Sequence, residues 1–231
     1  MTRPPPGERR TRVKVCGLTR RDDALAAADL GADALGFVFA PKSRRRADPE
    51  VVARVAEEVP PFVTLVGVFQ DQSLDEVRSL VNRCRLHLAQ LHGREDLAYA
   101  RALGCRVLKA VSLEGPEDVA SLAAFPGLSG YLLDSGSGGT GRAFDWSWAV
   151  EARRFGRIVL AGGLHPGNAA AAVRAVRPWA IDAASGTEAA PGVKDLAKIA
   201  ALLRAVRRAD ADVDRPVALD EGMTFPRGAE S

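Results

Sequence analysis

The chain contains few residues of the kinds that mark disulfide-rich or metal-binding proteins. Only 3 of its 231 residues are cysteine and 3 are histidine. An odd number of cysteines without paired spacing argues against a disulfide framework and favours a reducing compartment, so we expect a cytoplasmic protein. His92 has no second histidine or cysteine at ligand spacing, and we therefore predict no metal site.

Long apolar runs and a large excess of one charge are also missing. No run approaches the ~20 apolar residues that span a bilayer, and the N-terminus lacks the apolar core of a secretory signal. The 32 basic and 29 acidic residues leave a formal net charge of +3, which does not favour nucleic acid as the main partner. With 47% hydrophobic and 26% charged residues, the composition is that of an ordinary globular protein.

What the chain does contain is a regular alternation of strand-like and helix-like segments. Runs rich in Val, Ile, Leu and Phe predict strands over 12–16, 33–39, 62–69, 86–91, 106–110, 130–134, 157–161 and 179–183. Runs rich in Ala, Glu and Arg predict helices over 22–30, 49–58, 73–84, 95–103, 116–124, 146–154, 167–176 and 193–207. Helix-start signals support three of them, at Asp48-Pro49, at Ser73 with Glu76, and at Pro166 beside Asn168.

Eight such units in a row predict one α/β domain. The strand number and the chain length fit a closed (β/α)8 TIM barrel better than a doubly wound open sheet. We assign residues 12–207 to this barrel and residues 1–11 to a flexible leader. Residues 208–231 are polar and without clear periodicity, which predicts a disordered tail.

Polar residues collect at the carboxyl ends of the predicted strands, where barrel enzymes carry their chemistry. Cys16 ends the first strand, Asp134 ends the sixth, and Asp182 lies in the eighth. Strand alternation points Lys14 to the same face as Cys16. A thiol and a carboxylate on one pocket could exchange protons with a substrate. The alternative for Cys16 is an inert buried thiol, which is the commoner state of a lone cysteine.

Two glycine-containing pairs follow the last two predicted strands. They are Gly162-Gly163 and Ser185-Gly186. Glycine lets backbone N–H groups approach an anion closely, and the loops after strands seven and eight are the usual phosphate site of barrels. The pairs therefore favour a phosphate site over glycines that merely end strands.

Two further segments leave their alternatives open. Residues 135–141 contain G-x-G-x-x-G but follow the sixth strand without a prompt helix, which argues against a dinucleotide site. They fit a mobile flap or a plain connector equally well. The arginine run 44–46 is typical of a solvated charged face, yet it follows the second strand, where one arginine could clamp a carboxylate.

An ordered series of short motifs resembles one known family. The segments are Lys14-Val15-Cys16-Gly17-Leu18-Thr19, Gly31-Ala32-Asp33-Ala34-Leu35-Gly36-Phe37-Val38-Phe39, Val66-Gly67-Val68-Phe69, Gln90-Leu91-His92-Gly93, Leu132-Leu133-Asp134-Ser135, Gly138-Gly139-Thr140-Gly141, Phe144-Asp145-Trp146, Ala161-Gly162-Gly163-Leu164, Ser185-Gly186-Thr187-Glu188 and Pro191-Gly192-Val193-Lys194-Asp195. Together they resemble the phosphoribosylanthranilate isomerases of tryptophan biosynthesis over about residues 12–206.

The resemblance implies a cofactor-free Amadori rearrangement of a phosphosugar. In this family pattern, Asp134 is the general acid and Cys16 the general base, and the thiol requires a depressed pKa that nearby cations such as Lys14 would supply. Arg45, with Arg44 as the alternative, matches the family's carboxylate clamp. The other positions implied for substrate and phosphate are Lys14, Gln90, His92, Asp182, Gly162, Gly163, Ser185 and Gly186.

The resemblance also bounds the partners and the rival functions. It implies a small phosphosugar substrate. The charge balance and the missing apolar runs predict no nucleic acid and no membrane partner, and we expect a monomer or homodimer. In the related histidine-pathway isomerases, the general base at the end of the first strand is an aspartate. This chain has Cys16 at the matching position, which disfavours that activity here. A non-catalytic phosphosugar-binding barrel and a thiol sensor are the rivals from other classes, and a sensor would want a resolving cysteine close by.

Overall fold

The computed structural model describes residues 10–135 and 145–213. Eight parallel strands run through the centre of the molecule. They are β1 Arg12–Cys16, β2 Ala34–Val38, β3 Thr64–Phe69, β4 Leu88–Leu91, β5 Arg106–Ser112, β6 Gly130–Asp134, β7 Ile158–Leu160 and β8 Ala180–Ala183. They pair in sequence order, and β8 closes on β1 through the register Lys14↔Asp182. The predicted single-domain TIM barrel is confirmed.

The helices lie between the strands, as right-handed parallel crossovers require. They are α1 Arg21–Asp29, α2 Pro49–Glu58, α3 Leu74–Arg83, α4 Leu97–Ala102, α5 Glu117–Ala120, α6 Trp146–Ala152, α7 Ala169–Val176 and α8 Leu196–Val213. Asp48 and Ser73 cap α2 and α3 through their side chains, as predicted. Asn168 precedes α7 but makes no side-chain cap. The predicted helix 116–124 is α5 followed by a 3₁₀ turn.

The end of the barrel differs from the prediction in two places. Residues 188–190 and 193–194 form two short antiparallel strands, β9 and β10, where a helix was expected from residue 193. Helix α8 then continues to residue 213, past the predicted end at 207. The tail assigned from residue 208 is therefore helical at its start, and residues 214–231 lie outside the described residues.

The extension of α8 has a packing reason. Ala209 is fully buried, and Asp210 accepts hydrogen bonds from the Thr11 backbone N–H at 2.8 Å and from the Thr11 hydroxyl at 2.7 Å. Thr11 is itself buried, so the predicted flexible leader is fixed to α8 at its last residue. Residues 1–9 lie outside the described residues.

Strand alternation divides the core into two layers. Residues such as Val13, Val15 and Leu133 point outward and pack against the helices in the larger apolar cluster. The alternate positions, including Leu108 and Leu132, fill the inside of the barrel. Lys14, Cys16, Gln90, Asp134 and Asp182 share this inward register. Among the helices that the structure describes, none is long and apolar enough to cross a membrane.

Candidate active site

Lys14 and Cys16 lie side by side on the inner face of β1, as strand alternation predicts. Both side chains pack over Gly36, where an added Cβ would come within 2.7 Å of the Cys16 Sγ and 3.0 Å of the Lys14 Cε. The Lys14 Nζ donates to the Asp182 Oδ2 at 2.9 Å, across the closure of β1 on β8. A buried lysine, thiol and carboxylate therefore meet at the mouth of the barrel.

The electrostatic balance at Cys16 runs opposite to the expectation from sequence. Burial raises the pKa of the Cys16 thiol, as does the nearby Asp182 carboxylate, and these two effects outweigh the opposite effects of Lys14 and Lys194. Burial alone would lower the pKa of Lys14, but Asp182 and Cys16 raise it to about 12. Lys14 is thus held as a cation, and the structure without substrate does not show the depressed thiol pKa that the role of a base requires.

Asp134 occupies the end of β6, which is separated from β1 by β7 and β8 in the closed sheet. Its Oδ1 accepts from the Ser135 N–H at 2.8 Å, and its Oδ2 lies 4.0 Å from the His92 Nε2. The Asp134 side chain is 22% exposed, more open than Cys16. The structure therefore places the two predicted proton-transfer groups on one rim, in different environments.

Three buried side-chain oxygens at this end of the barrel lack a hydrogen-bond partner among the described residues. One is the Gln72 Oε1, in the loop after β3, and the other two are the Gln90 Oε1 and the Asp182 Oδ1. Gln90 and Asp182 face the inside of the barrel, where Gln90 lies in register with Leu108. Leaving a buried acceptor unsatisfied costs about 1–3 kcal/mol. The inward-facing oxygens of Gln90 and Asp182 are suited to accept from hydroxyl or amine groups of a ligand.

Sequence reasoning missed a buried ion pair behind His92. The Glu95 carboxylate accepts from the Asp71 and Gly93 N–H groups at 2.8 and 2.9 Å, and the Lys109 Nζ lies 3.3 Å from its Oε2. Lys109 also donates to the Gly93 carbonyl at 2.6 Å. The pair fixes the loop that follows β4. The signal that could have revealed it is Lys109 itself. It alternates with apolar residues on the side of β5 that faces the helices, where a charge needs a partner.

The two glycine loops predicted as a phosphate site lie against each other. Gly162 and Gly163 both adopt left-handed φ angles, of +85° and +67°, which strongly favour glycine. A Cβ on Gly186 would overlap the Leu164 carbonyl oxygen. Asn168 stiffens the first loop, because its side chain donates to the Gly163 carbonyl at 3.0 Å and accepts from the His165 N–H at 2.8 Å.

Of the three adjacent arginines, Arg45 is the one that turns toward the rim. Its neighbours Arg44 and Arg46 are exposed, whereas the Arg45 guanidinium binds Glu188 through its Nε and Nη2, at 2.7 and 2.8 Å. Sequence reasoning gave Glu188 no role. No spacing rule links it to Arg45, 143 residues away.

Comparison with known proteins identifies the family. Residues 13–205 match the family model for N-(5'-phosphoribosyl)anthranilate isomerase. The chain belongs to this family. A relative from Geobacter sp. strain M21 that bears the same name is 51% identical over 193 residues, 82% of this chain and 94% of that one.

Solved structures agree with this membership. The phosphoribosyl anthranilate isomerase of Thermus thermophilus is 45% identical, with a TM-score of 0.80 over 86% of this chain and 99% of that one. A second structure of the family, in complex with reduced 1-(o-carboxyphenylamino)-1-deoxyribulose 5-phosphate, is 39% identical, with a TM-score of 0.77 over the same shares.

Other candidate features lie outside the rim or outside the described residues. The predicted flap at 135–141 falls beyond the described residues from position 136 onward. A cavity of about 660 Å³ opens at the amino ends of the strands and includes His87, Arg101 and Arg106 in its lining. Within residues 10–135 and 145–213, no group of three His, Cys, Asp or Glu side chains could hold a metal ion.

Proposed function

We propose that this chain isomerises N-(5-phosphoribosyl)anthranilate to 1-(2-carboxyphenylamino)-1-deoxyribulose 5-phosphate, in L-tryptophan biosynthesis. The observation that carries the proposal is the match of residues 13–205 to the family model. The reaction is an Amadori rearrangement that needs an acid on oxygen and a base on carbon, without a cofactor. We further propose that it takes place in the cytoplasm, in a monomer or a homodimer that binds neither nucleic acid nor membrane.

Asp134 is the proposed general acid. In its protonated form it gives a proton to the furanose ring oxygen while the bond between C1 and that oxygen breaks. The nitrogen lone pair forms a C1=N double bond, which leaves a cationic Schiff base and an Asp134 carboxylate. The partial exposure of Asp134 and its position near His92 allow the carboxyl group to regain a proton between turnovers.

Cys16 is the proposed general base. The thiolate removes the proton from C2, whose bonding electrons form a C1=C2 double bond as the nitrogen cation is neutralised. The resulting enolamine then tautomerises to the ketone, as O2 loses its proton and C1 gains one. Because the Schiff base places a positive charge beside Cys16, it would offset the burial and the Asp182 charge that raise the pKa of the thiol without substrate.

The remaining rim residues are proposed to bind the substrate. Gly162, Gly163, Ser185 and Gly186 would cradle the phosphate with backbone N–H groups. Arg45 would clamp the anthranilate carboxylate through charge-assisted hydrogen bonds. The sugar would meet the polar side chains of Lys14, Gln90, His92 and Asp182. The unpartnered oxygens of Gln90 and Asp182 support this assignment.

The test is turnover of freshly made phosphoribosylanthranilate by the purified protein, followed through the decay of substrate fluorescence. We expect decay well above the buffer rate, and a ~10²-fold or greater loss of kcat in Cys16→Ala. Cys105→Ala, a second thiol placed before β5 and away from the rim, is the matched control and should keep its activity. No turnover by the wild type would favour a non-catalytic sugar-binding barrel. Turnover of the bisphosphate substrate of the histidine pathway instead would identify the related isomerase.

A further inference from the structure

The short hairpin after β8 carries two motif residues to which the proposed chemistry gives no role. Glu188 begins β9, and Lys194 ends β10. Both side chains are buried, with exposed fractions of 5% and 0%. Their charged groups lie 3.3 Å apart. A buried ion pair on a surface hairpin needs a reason, because two charges lose their hydration there.

Glu188 holds Arg45 by one edge. Its two oxygens accept from the Nε and Nη2 of the guanidinium, which is a bidentate arrangement. A guanidinium is planar and presents its five N–H groups on fixed edges. With Nε and one N–H of Nη2 on Glu188, the adjacent edge, formed by Nη1 and the second N–H of Nη2, is left for another acceptor.

The Arg45 stem is fixed as well. An added Cβ on Gly17 would lie 2.6 Å from the Arg45 Cδ, so the side chain crosses close over the backbone next to Cys16. Gly17 also has a left-handed φ of +77°. Stem and head are therefore both held, and the guanidinium has little freedom to rotate before a ligand arrives.

Lys194 connects the same carboxylate to the catalytic strand. Its Nζ donates to the carbonyl of Cys16 at 2.7 Å and to that of Ala184 at 3.0 Å, besides its contact with Glu188. The Arg45–Glu188–Lys194 group joins the loops after β1, β2 and β8. It carries one carboxylate and two cations, a net formal charge of +1.

We propose that Glu188 is a positioning residue for the substrate carboxylate, fixing Arg45 so that its second edge meets that carboxylate, with Lys194 fixing Glu188 in turn. The inference rests on the proposed function, which makes Arg45 the carboxylate clamp. A preorganised clamp is more effective than a mobile arginine, because no side-chain entropy is lost on binding.

Two ligands isolate this effect. One is reduced 1-(o-carboxyphenylamino)-1-deoxyribulose 5-phosphate, and the other is its counterpart prepared from aniline, which lacks the carboxylate. The quantity measured by titration calorimetry is the ratio of their dissociation constants in the same protein sample. A partly unfolded sample weakens both ligands equally, so the ratio is insensitive to folding. In the wild type we expect a preference for the carboxylated ligand of about 10–100-fold.

Arg45→Met tests the proposed function alone. The preference should fall to nearly 1 in this variant. A preference that stays at the wild-type value would mean that Arg45 is not the clamp, and both proposals about Arg45 would be wrong.

Glu188→Gln tests the further inference. A purely electrostatic role predicts a stronger preference for the carboxylated ligand, because a negative charge has been removed beside Arg45. Positioning predicts the opposite, a fall of about fivefold or more. The inference is overturned if Glu188→Gln shows an unchanged or increased preference while the preference of Arg45→Met is close to 1. The proposal that Arg45 binds the substrate carboxylate would then still stand.

Two further variants complete the test. Glu188→Gln with Lys194→Met restores the net charge of +1, and its preference should stay low, whereas recovery to the wild-type value would contradict positioning. Glu95→Gln removes a comparably buried carboxylate that is paired with Lys109, and it should keep the wild-type ratio. An equal fall in Glu95→Gln would overturn the inference. If Glu188→Gln does not fold, Glu188→Asp keeps the charge but withdraws the carboxylate, and the ratio should again fall.

Discussion

The polar and charged groups at the two ends of the barrel are arranged differently. At the amino ends of the strands, the Trp179 ring lies beneath the guanidinium groups of Arg12 and Arg157, at 4.4 and 5.8 Å from its centre. At the carboxyl ends, Gln90 and Asp182 keep buried oxygens that no group in the described residues satisfies. The cations at the amino end thus pack on a ring within the protein, while the carboxyl end keeps buried acceptors without a partner among the described residues.

The contacts at the amino end serve stability, whereas those at the carboxyl end lie beside the proposed reacting groups. Cation–π contacts such as those at Trp179 each contribute about 0.5–1 kcal/mol at exposed sites and involve no reacting group. The carboxyl end instead buries Lys14 against Asp182, which costs hydration and leaves a carboxylate oxygen unpaired. Substitutions at the two ends should therefore affect different measurements.

The largest effect should come from removing the proposed acid at the carboxyl end. Asp134→Asn keeps the shape of the side chain but cannot protonate the ring oxygen, so kcat should fall by ~10²–10⁴. Trp179→Leu at the amino end is the contrasting variant and should lower the melting temperature with kcat within about twofold of wild type. Equal kcat losses in both variants would remove the distinction between the ends.

Lys14→Met should give the largest loss of stability. It leaves the buried Asp182 carboxylate without its cation, and breaking a buried pair in this way costs about 3–5 kcal/mol. Urea denaturation at neutral pH measures the change. Lys14→Met with Asp182→Asn should recover much of it, because no buried charge then remains. Arg10→Met, which breaks a mostly exposed pair with Asp33 at the amino end, should cost under about 1 kcal/mol.

Two glycines give a comparison in which a single methyl group is added at either end. Gly186→Ala drives its Cβ into the Leu164 carbonyl oxygen, so the loops after β7 and β8 must separate. We expect KM to rise about tenfold as proposed phosphate contacts weaken. Gly104→Ala, in the loop before β5, meets no atom within 4 Å but keeps a φ of +73°. It should cost about 1–2 kcal/mol of stability with KM unchanged, and an equal KM in both variants would argue against the phosphate loops.

The sequence was sufficient for the barrel because the barrel depends on local patterns. Eight apolar runs and their intervening helices follow from composition and periodicity, and the motifs place Cys16 and Asp134 at strand ends. The end of α8 was missed, since burial of Ala209 and the bond between Thr11 and Asp210 depend on contacts between distant parts of the chain.

The electrostatics of the rim were harder to predict for the same reason. Spacing along β1 revealed that Lys14 neighbours Cys16, but not that closure on β8 brings Asp182 beside both. The pairing of Arg45 with Glu188 likewise depends on the hairpin of β9 and β10. These strands have only three and two residues, which is too short for a periodic pattern to predict them. The thiol pKa is decided by burial and then by charged groups that tertiary contacts bring close, and neither can be derived from spacing along the chain.

The smallest predicted effect is a difference in the pH dependence of stability between the two ends. The pKa of Cys16 is raised chiefly by burial and next by Asp182, so in the alkaline range the folded protein retains a proton that the unfolded chain releases. Unfolding free energy therefore falls as the pH rises past the ordinary thiol pKa of 9.0. The slope from one such proton cannot exceed about 1.4 kcal/mol per pH unit.

Cys16→Ala removes this contribution, and urea denaturation between pH 8 and pH 10 should show a flatter decline than in the wild type. Cys105, before β5 at the amino end, has a pKa that is raised by burial but is only half-buried. Cys105→Ala should therefore change the slope less. If Cys105→Ala changed the slope of unfolding free energy against pH more than Cys16→Ala does, the Cys16 thiol would be less buried than the structure shows.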